Sequence, residues 1–346
     1  FMPELCVICS AKARLQSRLM AVFTQVTPPQ AQQLLDQLGL GTLLSLRGIE
    51  GGIENTNYFL DVMDRNGRHP QFYVLTLFER LTAHQLPFYL GLMQHLASKG
   101  LPVPNPAASP EGQVLFEVAG KPAALVTKLE GKSQLDPQAP HCHQLGATLA
   151  HMHLATVDFA GQQPNLRGLT WWNETVPVVT PFLNADQRAM IEDELALQNA
   201  WAQSDAYAQL PRGAVHADLF RDNVMFVGDQ LTGVFDFYFA GVDTWLFDLA
   251  VALNDWCIDR PTGAWIVEKK QALLQGYQSV RPLLPAERDM MNPMLRAGAL
   301  RFWTSRLWDF FLPREASMLK PHDPTHFERV LHQRRHHPVA LETLLP

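Results

Sequence analysis

The feature that most constrains this chain is a polar loop set between two apolar runs, from Val215 to Phe237. The residues from Val224 to Phe235 are rich in β-branched and aromatic side chains and contain a Gly-Asp-Gln turn, which predicts a β-hairpin. The hairpin would present two carboxylates and an amide close together, on a loop and on an adjacent strand end. These are Asp218, Asn223 and Asp236.

The spacing of these three side chains matches the needs of phosphoryl transfer. Asn223 follows Asp218 by five positions, and Asp236 follows Asn223 by thirteen. In kinase-type transfer one carboxylate receives the proton of the attacking hydroxyl, while an amide oxygen and a second carboxylate hold Mg²⁺ on the nucleotide phosphates. The pattern H-x-D-x-x-x-x-N, a hairpin and then Asp is that catalytic-loop arrangement. The alternative is an ordinary polar loop between strands, because short motifs also occur by chance.

Composition narrows the class of protein. A hydrophobic fraction of 47% and a charged fraction of 18% over 346 residues are typical of a globular chain and exclude a disordered one. The formal net charge of −6 argues against a nucleic-acid surface, and no apolar run reaches the roughly 18 residues of a membrane span. Four cysteines are too few for a disulfide scaffold of this size, so we expect a cytoplasmic protein.

The first part of the chain predicts an antiparallel sheet. Residues 1–19 lack sustained periodicity, and we expect them to be disordered or a non-native extension. Strand patterns follow near 43–47, 58–62, 71–79, 112–118 and 123–129, with a helix from about Thr82 to Lys99. A glycine-rich turn, 48–57, separates the first two strands and could approach phosphate closely or be a plain hairpin turn. We therefore expect an N-terminal lobe over 20–129.

The rest of the chain, 130–346, predicts a larger and mainly helical lobe. Helical patterns cover 141–155, much of 171–205, 264–277 and 294–311, with a further helix opening at Pro285. Four histidines between His141 and His153 could suggest a metal, but capping and core-edge roles are favoured. Asp248 lies near a helix start, where it could cap that helix or brace the catalytic loop through backbone N–H groups or His216.

These residues resemble the aminoglycoside-phosphotransferase-like (protein-kinase-like) superfamily, and look closest to the bacterial homoserine kinases of that fold. The resemblance covers nearly everything after Met20. It is carried by the stretches 51–59, 73–79, 101–104, 216–223 and 235–250. It implies an α+β, two-lobed protein-kinase-like fold and the phosphorylation of the side-chain hydroxyl of L-homoserine by ATP with Mg²⁺, a step of threonine biosynthesis.

Position by position, the resemblance implies a set of site residues. Asp218 would be the catalytic base, Asn223 and Asp236 the metal ligands, and His216 and Asp248 structural. Nucleotide contacts would come from the covering loop and from the hinge after the sheet, that is from Gly51, Gly52, Asn55, Val126 and Lys128. The third strand carries Thr76 where kinases have a phosphate-binding lysine, and the helix after it contains no glutamate partner.

A small zwitterionic substrate needs a cation for its carboxylate and an anion for its amine. Charge type and region give Arg301 or Arg306 for the first, and Asp222 or Asp255 for the second. Two alternatives stay open, a kinase for choline, an aminoglycoside or a sugar, and a nucleotide-binding pseudokinase. We expect no nucleic-acid or membrane partner, and a monomer or homodimer.

Overall fold

The computed structural model describes residues 24–49, 55–312 and 322–340. Contacts divide these residues into two compact units. The first comprises the described residues up to Pro87 together with Asn105–Lys128, and the second comprises Phe88–Pro104 and the described residues from Leu129 onward. The predicted extension 1–19 and the turn glycines Gly51 and Gly52 lie outside the described residues.

The first unit is built on a five-stranded antiparallel sheet with strand order β1-β2-β3-β5-β4. Its strands are β1 (Thr42–Gly48), β2 (Asn55–Met63), β3 (Pro70–Phe78), β4 (Phe116–Val118) and β5 (Lys121–Thr127). The neighbouring strands β2 and β3 are paired along their whole length, from Asn55 opposite Phe78 to Met63 opposite Pro70. The register fixes which alternate side chains share a face.

One face of this sheet is covered by helix α1 (Pro28–Leu38). Thr27 caps the helix, proline occupies its first turn, and Gly39 ends it in a left-handed conformation with φ of 68°. Leu34 and Leu35 of the helix join alternate residues of the strands in one hydrophobic cluster, which includes Tyr58, Leu60, Val62, Tyr73, Leu75 and Leu77. Each fully buried leucine contributes about 2 kcal/mol.

The second unit is mainly helical. Its longer helices are α2 (Leu86–Ser98), α3 (Ala139–Ala155), α4 (Leu169–Val179), α5 (Ala185–Ala202), α7 (Trp245–Trp256), α8 (Val267–Val280), α9 (Pro285–Phe311) and α10 (Thr325–His336), with a short α6 (Asp205–Ala208). Short strands form two small sheets. One has the order β6-β8-β9 (Lys132–Ser133, Val224–Val227, Gln230–Val234), and the other pairs β7 (Arg212–Val215) with β10 (Gly241–Thr244).

The predicted fold class, an antiparallel sheet followed by a mainly helical part, is confirmed. The helix predicted for the N-terminal lobe is the main difference in organisation. It begins at Leu86, after a turn that Gln85 closes by accepting hydrogen bonds from Thr82, and all but its first two residues belong to the second unit. Within the first unit, the helix packed on the sheet is α1.

Two element boundaries also differ from the prediction. The strand expected over 112–118 is limited to Phe116–Val118, because Ser109 closes a turn with Gly112 and Gln113. The two helices expected around 285 and 294–311 are one helix, which continues through Pro293. Burial of Met290, Met291, Met294 and Leu295 on both sides of that proline offsets the lost backbone hydrogen bond.

Helix α7 is buried along its whole length, from Trp245 to Trp256. Its sequence is apolar on nearly every side, so the two aspartates that it carries, Asp248 and Asp255, are removed from water with it. Buried carboxylates need hydrogen-bond donors, and both find them on the loop that carries Asp218. Among the described residues, none of the helices is long and apolar enough to cross a bilayer.

Candidate active site

The loop that the sequence singled out lies in the second unit and begins where β7 ends at Val215. Asp218 lies on the loop, and Asn223 ends a short helical turn that begins at Arg221. The chain then forms the predicted hairpin of β8 and β9, with Val224 opposite Val234, and reaches Asp236 two residues after β9. The hairpin therefore returns the chain from Asn223 to Asp236 on the same side of the molecule.

Asp218 and Asn223 are in direct contact. The Asn223 side-chain nitrogen Nδ2 donates to the backbone oxygen of Asp218 at 2.8 Å and lies 3.3 Å from its carboxylate oxygen Oδ2. Because the amide nitrogen faces Asp218, the amide oxygen of Asn223 points away and is able to accept a metal ion. The contact thus orients the Asp218 carboxylate and the Asn223 amide with respect to each other.

Asp236 is held by the backbone on both sides of the hairpin. The N–H of the preceding residue, Phe235, donates to the carbonyl of Asn223 at 3.0 Å, and the Phe235 carbonyl lies 2.9 Å from His216 Nε2. Asp236 itself has a φ of 65°, and its carboxylate is exposed. Left-handed backbone at a non-glycine residue costs roughly 1–2 kcal/mol, so this side chain is placed against a local preference.

Asp248 braces the loop. Its Oδ2 accepts the N–H of His216 at 2.8 Å, and its Oδ1 accepts the N–H of Ala217 at 2.9 Å. Ala217 also has a left-handed φ, of 62°, and the bond from its N–H holds that conformation. Of the two roles considered from sequence, cap or brace, the structure gives the brace, since Thr244 caps α7 by accepting from Phe247 N–H.

About two turns further along α7, Asp255 holds the other end of the loop. Its Oδ2 accepts the backbone N–H of Arg221 at 2.9 Å and Arg221 Nε at 3.0 Å. The next residue, Trp256, donates from Nε1 to the carbonyl of Leu219 at 3.0 Å. Asp255 was considered for a substrate amine, and the structure pairs it with Arg221 instead, so the substrate role stays a prediction without support from its contacts.

Sequence reasoning missed a chain of side chains behind Asp248. His153 Nε2 lies 3.3 Å from Asp248 Oδ2, and its Nδ1 lies 2.9 Å from the hydroxyl of Tyr277. That hydroxyl accepts from Arg281 Nη1 at 3.1 Å, and Arg281 is bound by both carboxylate oxygens of Glu287. A carboxylate can only accept, so His153 Nε2 carries a proton towards Asp248 and Nδ1 accepts from Tyr277.

The two aspartates differ in their pKa values. Burial raises the pKa of Asp218 to about 7, an effect that the charge of Arg301 opposes and that of Asp236 reinforces. Burial would raise the pKa of Asp248 too, but the hydrogen bonds from His153 and the backbone of His216 hold it below its ordinary value. Asp218 is therefore a stronger base than an exposed aspartate, whereas Asp248 is ionised across the ordinary pH range.

Two of the residues predicted to bind substrate lie on α9. Arg301 is buried, with 3% of its surface exposed, and the charge of Asp218 acts on it. Arg306 is half-buried and feels the charges of Asp218, Asp309 and Asp222. Asp222 is exposed, and its backbone carbonyl accepts a hydrogen bond from Ser133.

The predicted nucleotide contacts that are described all lie in the first unit. Asn55 begins β2, and Val126 lies near the end of β5. Lys128 follows β5 with Nζ 4.9 Å from the ring centre of Phe59. At the position where kinases have a lysine, Thr76 donates to the side-chain oxygen of Asn57 at 2.8 Å. A lysine–glutamate pair does occur in the first unit, between Lys121 on β5 and Glu79 at 3.1 Å.

Asn223 and Asp236 suit a hard cation such as Mg²⁺, because both offer oxygen ligands. The amide nitrogen of Asn223 faces Asp218, so its amide oxygen faces away from Asp218, and Asp236 is exposed. Within the described ranges, His, Cys, Asp and Glu form no cluster of three that could hold a metal ion. A site with an amide and a carboxylate depends on further ligands, such as nucleotide phosphates and water.

Residues 45–283 match the model of a family described as "Phosphotransferase enzyme family". The chain is 58% identical to the homoserine kinase of Polaromonas naphthalenivorans (strain CJ2), an alignment that covers 93% of this chain and 100% of the relative. It is 56% identical to the homoserine kinase of Janthinobacterium sp. (strain Marseille), over 91% of this chain and 96% of that one.

The fold is also similar to that of solved kinases. The amicoumacin kinase hAmiN, solved in complex with AMP-PNP, Ca²⁺ and Ami, aligns with a TM-score of 0.66 at 16% identity. The alignment covers 97% of this chain and 99% of hAmiN. At this level of identity the likeness concerns the fold, and it agrees with the predicted protein-kinase-like architecture.

Proposed function

Because this chain belongs to the phosphotransferase enzyme family, we propose that it uses ATP to phosphorylate the side-chain hydroxyl of L-homoserine. The products are ADP and O-phospho-L-homoserine. The reaction type is carried by one observation, the contact between Asp218 and Asn223 in a loop of kinase spacing. The substrate is supported by the names of relatives with 58% and 56% identity over nearly the whole chain.

Asp218 is the catalytic base of this proposal. Its carboxylate orients the substrate hydroxyl and accepts the proton as the oxygen attacks the γ-phosphorus. The raised pKa, about 7, brings its basicity close to neutral pH, where a base is most effective. Its neighbour Asn223 keeps the carboxylate in one orientation through the Nδ2 contact.

Asn223 and Asp236 would hold Mg²⁺ through their side-chain oxygens. The ion, when bound, neutralises charge on the β- and γ-phosphates. His216 ties the two halves of this ligand pair together, since its ring reaches the Phe235 carbonyl and its backbone is anchored by Asp248. Burial lowers the pKa of His216, so the ring is neutral and acts through hydrogen bonds rather than charge.

The nucleotide contacts are proposed by region rather than by atom. We place the phosphates near the turn that includes Gly51, Gly52 and Asn55, and the adenine near Val126 and Lys128. The N–H groups of Thr127 and Lys128 already donate to Asn105 and Phe72 within the first unit. Recognition of adenine by the backbone would therefore use other groups of this hinge. We place this reaction in the cytoplasm.

An ADP-release assay across a panel of alcohols tests the substrate. The panel contains L-homoserine, choline, an aminoglycoside and a sugar, each with ATP and Mg²⁺. We expect turnover with L-homoserine and a kcat/KM at least about 100-fold lower for the others, since their charge patterns differ. Phosphorus NMR of the product should show a phosphomonoester on the side-chain oxygen.

The same assay separates the alternatives. Turnover of choline, the aminoglycoside or the sugar in place of L-homoserine would replace the proposed substrate. ATP binding without turnover of any alcohol would support a pseudokinase. That alternative is suggested by Thr76, which stands where kinases have a phosphate-binding lysine. Either result would overturn the proposal as stated.

A further inference from the structure

We propose that Arg301 binds the carboxylate of the substrate and thereby selects hydroxy amino acids over amino alcohols. The inference rests on the proposed function and deepens it, because it assigns the discriminating contact to one side chain. Four observations carry it, namely the burial of the guanidinium, its unused donors, its place beside the catalytic loop, and the contrast with other arginines.

The guanidinium of Arg301 is enclosed by protein but has unused donors. Only 3% of the residue is exposed. Among the described residues, no hydrogen-bond partner reaches its Nε or its Nη2, and Nη1 makes one long contact of 3.4 Å with Ser305 Oγ. Buried donors without hydrogen-bond partners are rare in folded proteins.

Three other arginines of the second unit are bound to carboxylates. Arg221 pairs with Asp255, Arg281 with Glu287, and Arg296 with the fully buried Glu194. The last of these lies on the same helix as Arg301. A fourth, Arg334, is as buried as Arg301 and donates from Nε to Asn254 Oδ1 and from Nη2 to the carbonyl of Gly263. Each of these four arginines uses Nε, Nη2 or both on protein groups, whereas among the described residues neither donor of Arg301 has a partner.

Arg301 lies beside the catalytic loop. The next residue, Phe302, packs against Phe220 of the loop with ring centres 4.4 Å apart. The guanidinium carbon of Arg301 is 5.2 Å from the ring centre of Phe239, three residues after Asp236. The neighbour of Arg301 thus packs on the Asp218 loop, its own guanidinium lies near Phe239, and the charge of Asp218 acts on it. A ligand on its donors would therefore lie close to the reacting hydroxyl.

The two unused donors, Nε and Nη2, lie on the same edge of the guanidinium. Their N–H bonds are parallel and match the two oxygens of a carboxylate, which gives a bidentate pair. A phosphoryl group offers a similar pair of oxygens, so the experiment must separate substrate from nucleotide. Arg306, the other arginine predicted from sequence, is half-buried, whereas Arg301 is buried, which makes Arg306 the weaker candidate.

The test compares L-homoserine with 3-aminopropan-1-ol, which lacks only the carboxylate. We expect Arg301→Met to lower kcat/KM for L-homoserine by roughly 10²–10³-fold and to change kcat/KM for 3-aminopropan-1-ol by less than about threefold. The discrimination between the two substrates should fall accordingly. Arg301→Lys keeps the charge but loses the two parallel donors. Its kcat/KM for L-homoserine should lie between that of the unmodified protein and that of Arg301→Met.

Two further measurements distinguish substrate binding by Arg301 from a structural role. The thermal midpoint of the Arg301→Met protein should be unchanged or higher, since a buried unpaired cation is removed. Arg296→Met is the matched control on the same helix. It should lower the thermal midpoint by leaving Glu194 unpaired, and it should leave the ratio of kcat/KM values as in the unmodified protein.

Three outcomes would overturn the inference. Arg301→Met could lower kcat/KM for both alcohols by the same factor, it could leave L-homoserine turnover intact, or it could weaken nucleotide binding instead, as a dissociation constant for AMP-PNP would show. An unmodified protein that neither binds nor phosphorylates L-homoserine would overturn the proposed function as well. The failure of the two proposals is therefore distinguishable.

Discussion

Asp248 accepts three hydrogen bonds, from the backbone of His216 and Ala217 and from the ring of His153. Asp218 lies on the loop that Asp248 supports, and it accepts one side-chain hydrogen bond, at 3.3 Å, from Asn223. Asp248 is fully buried and Asp218 is half-buried, and burial acts to raise the pKa of each. Only at Asp248 do the donors reverse that effect.

The same contrast occurs between two buried arginines. Arg281 is bound by both oxygens of Glu287 and also donates to Tyr277, whereas among the described residues Arg301 has a single long contact with Ser305. The Asp248 region is satisfied internally and holds the loop in place. The Asp218 region keeps a base and a cation whose unmet interactions suit a substrate. Buried charges in this protein therefore have two separate roles, one in holding the loop and one that is left for a substrate.

The largest loss of stability is expected from Asp248→Asn. The amide accepts less strongly than a carboxylate, so the N–H groups of His216 and Ala217 and the ring of His153 lose much of their shared partner. We expect the free energy of unfolding to fall by about 3 kcal/mol, with a fall in kcat because the loop is less well held. Urea denaturation measures the first quantity.

Asp229→Asn is the control for that change. Asp229 lies in the turn of the β8–β9 hairpin and is largely exposed, with 73% of its side chain accessible. Its replacement should alter the free energy of unfolding by less than about 0.5 kcal/mol. If Asp248→Asn were equally mild, the brace would not be a principal support of the loop.

Tyr277→Phe sharpens the comparison at a greater distance from the loop. The change removes a hydroxyl that bridges His153 and Arg281, both buried. We expect a loss of about 1–2 kcal/mol of unfolding free energy, with kcat changed by less than about threefold. Tyr73→Phe, at a buried tyrosine whose hydroxyl reaches only the Gln71 side chain among the described residues, is the matched control and should cost less.

The smallest effects concern the pH dependence of stability in metal-free buffer. The pKa of Asp248 is lowered in the folded state, so its contribution is present above the unfolded pKa of about 4 and is lost as the pH falls below it. The pKa of Asp218 is raised to about 7, so its contribution is present below the unfolded pKa of about 4 and is lost progressively as the pH rises to about 7.

Urea titrations from pH 3.5 to 8.5 check both signs. The deficit of Asp248→Asn relative to the unmodified protein should shrink below about pH 4. The stability of Asp218→Asn relative to the unmodified protein should improve as the pH rises from about 4 to about 7 and should then level off. Equal slopes for the two variants would mean that the two carboxylates do not differ as described.

The loop and the sheet could be predicted from sequence because both depend on local patterns. The hairpin after Asn223 follows from β-branched runs and a glycine turn, and the core face of the sheet follows from alternation. The spacing of Asp218 and Asn223 also lies within one short segment, so the contact between them is a local consequence of the loop.

The support of the loop could not be predicted in the same way. His153 and Tyr277 are 124 residues apart in sequence, and nothing local indicates that they meet. Asp248 could cap or brace, and the choice depends on Thr244 taking the cap. Arg301 and Arg306 were equivalent in sequence, and burial on α9 distinguishes them. Such roles depend on tertiary packing, which charge type and spacing do not specify.

The role of Asp218 is tested most directly by the single-turnover rate of phosphoryl transfer from ATP to L-homoserine in Asp218→Asn. We expect this rate to fall by about 10²–10⁴-fold at saturating substrates, because the amide cannot accept the hydroxyl proton. The AMP-PNP dissociation constant and the unfolding free energy at pH 7 should not worsen. A rate within about threefold of that of the unmodified protein would contradict the assignment of Asp218 as the base.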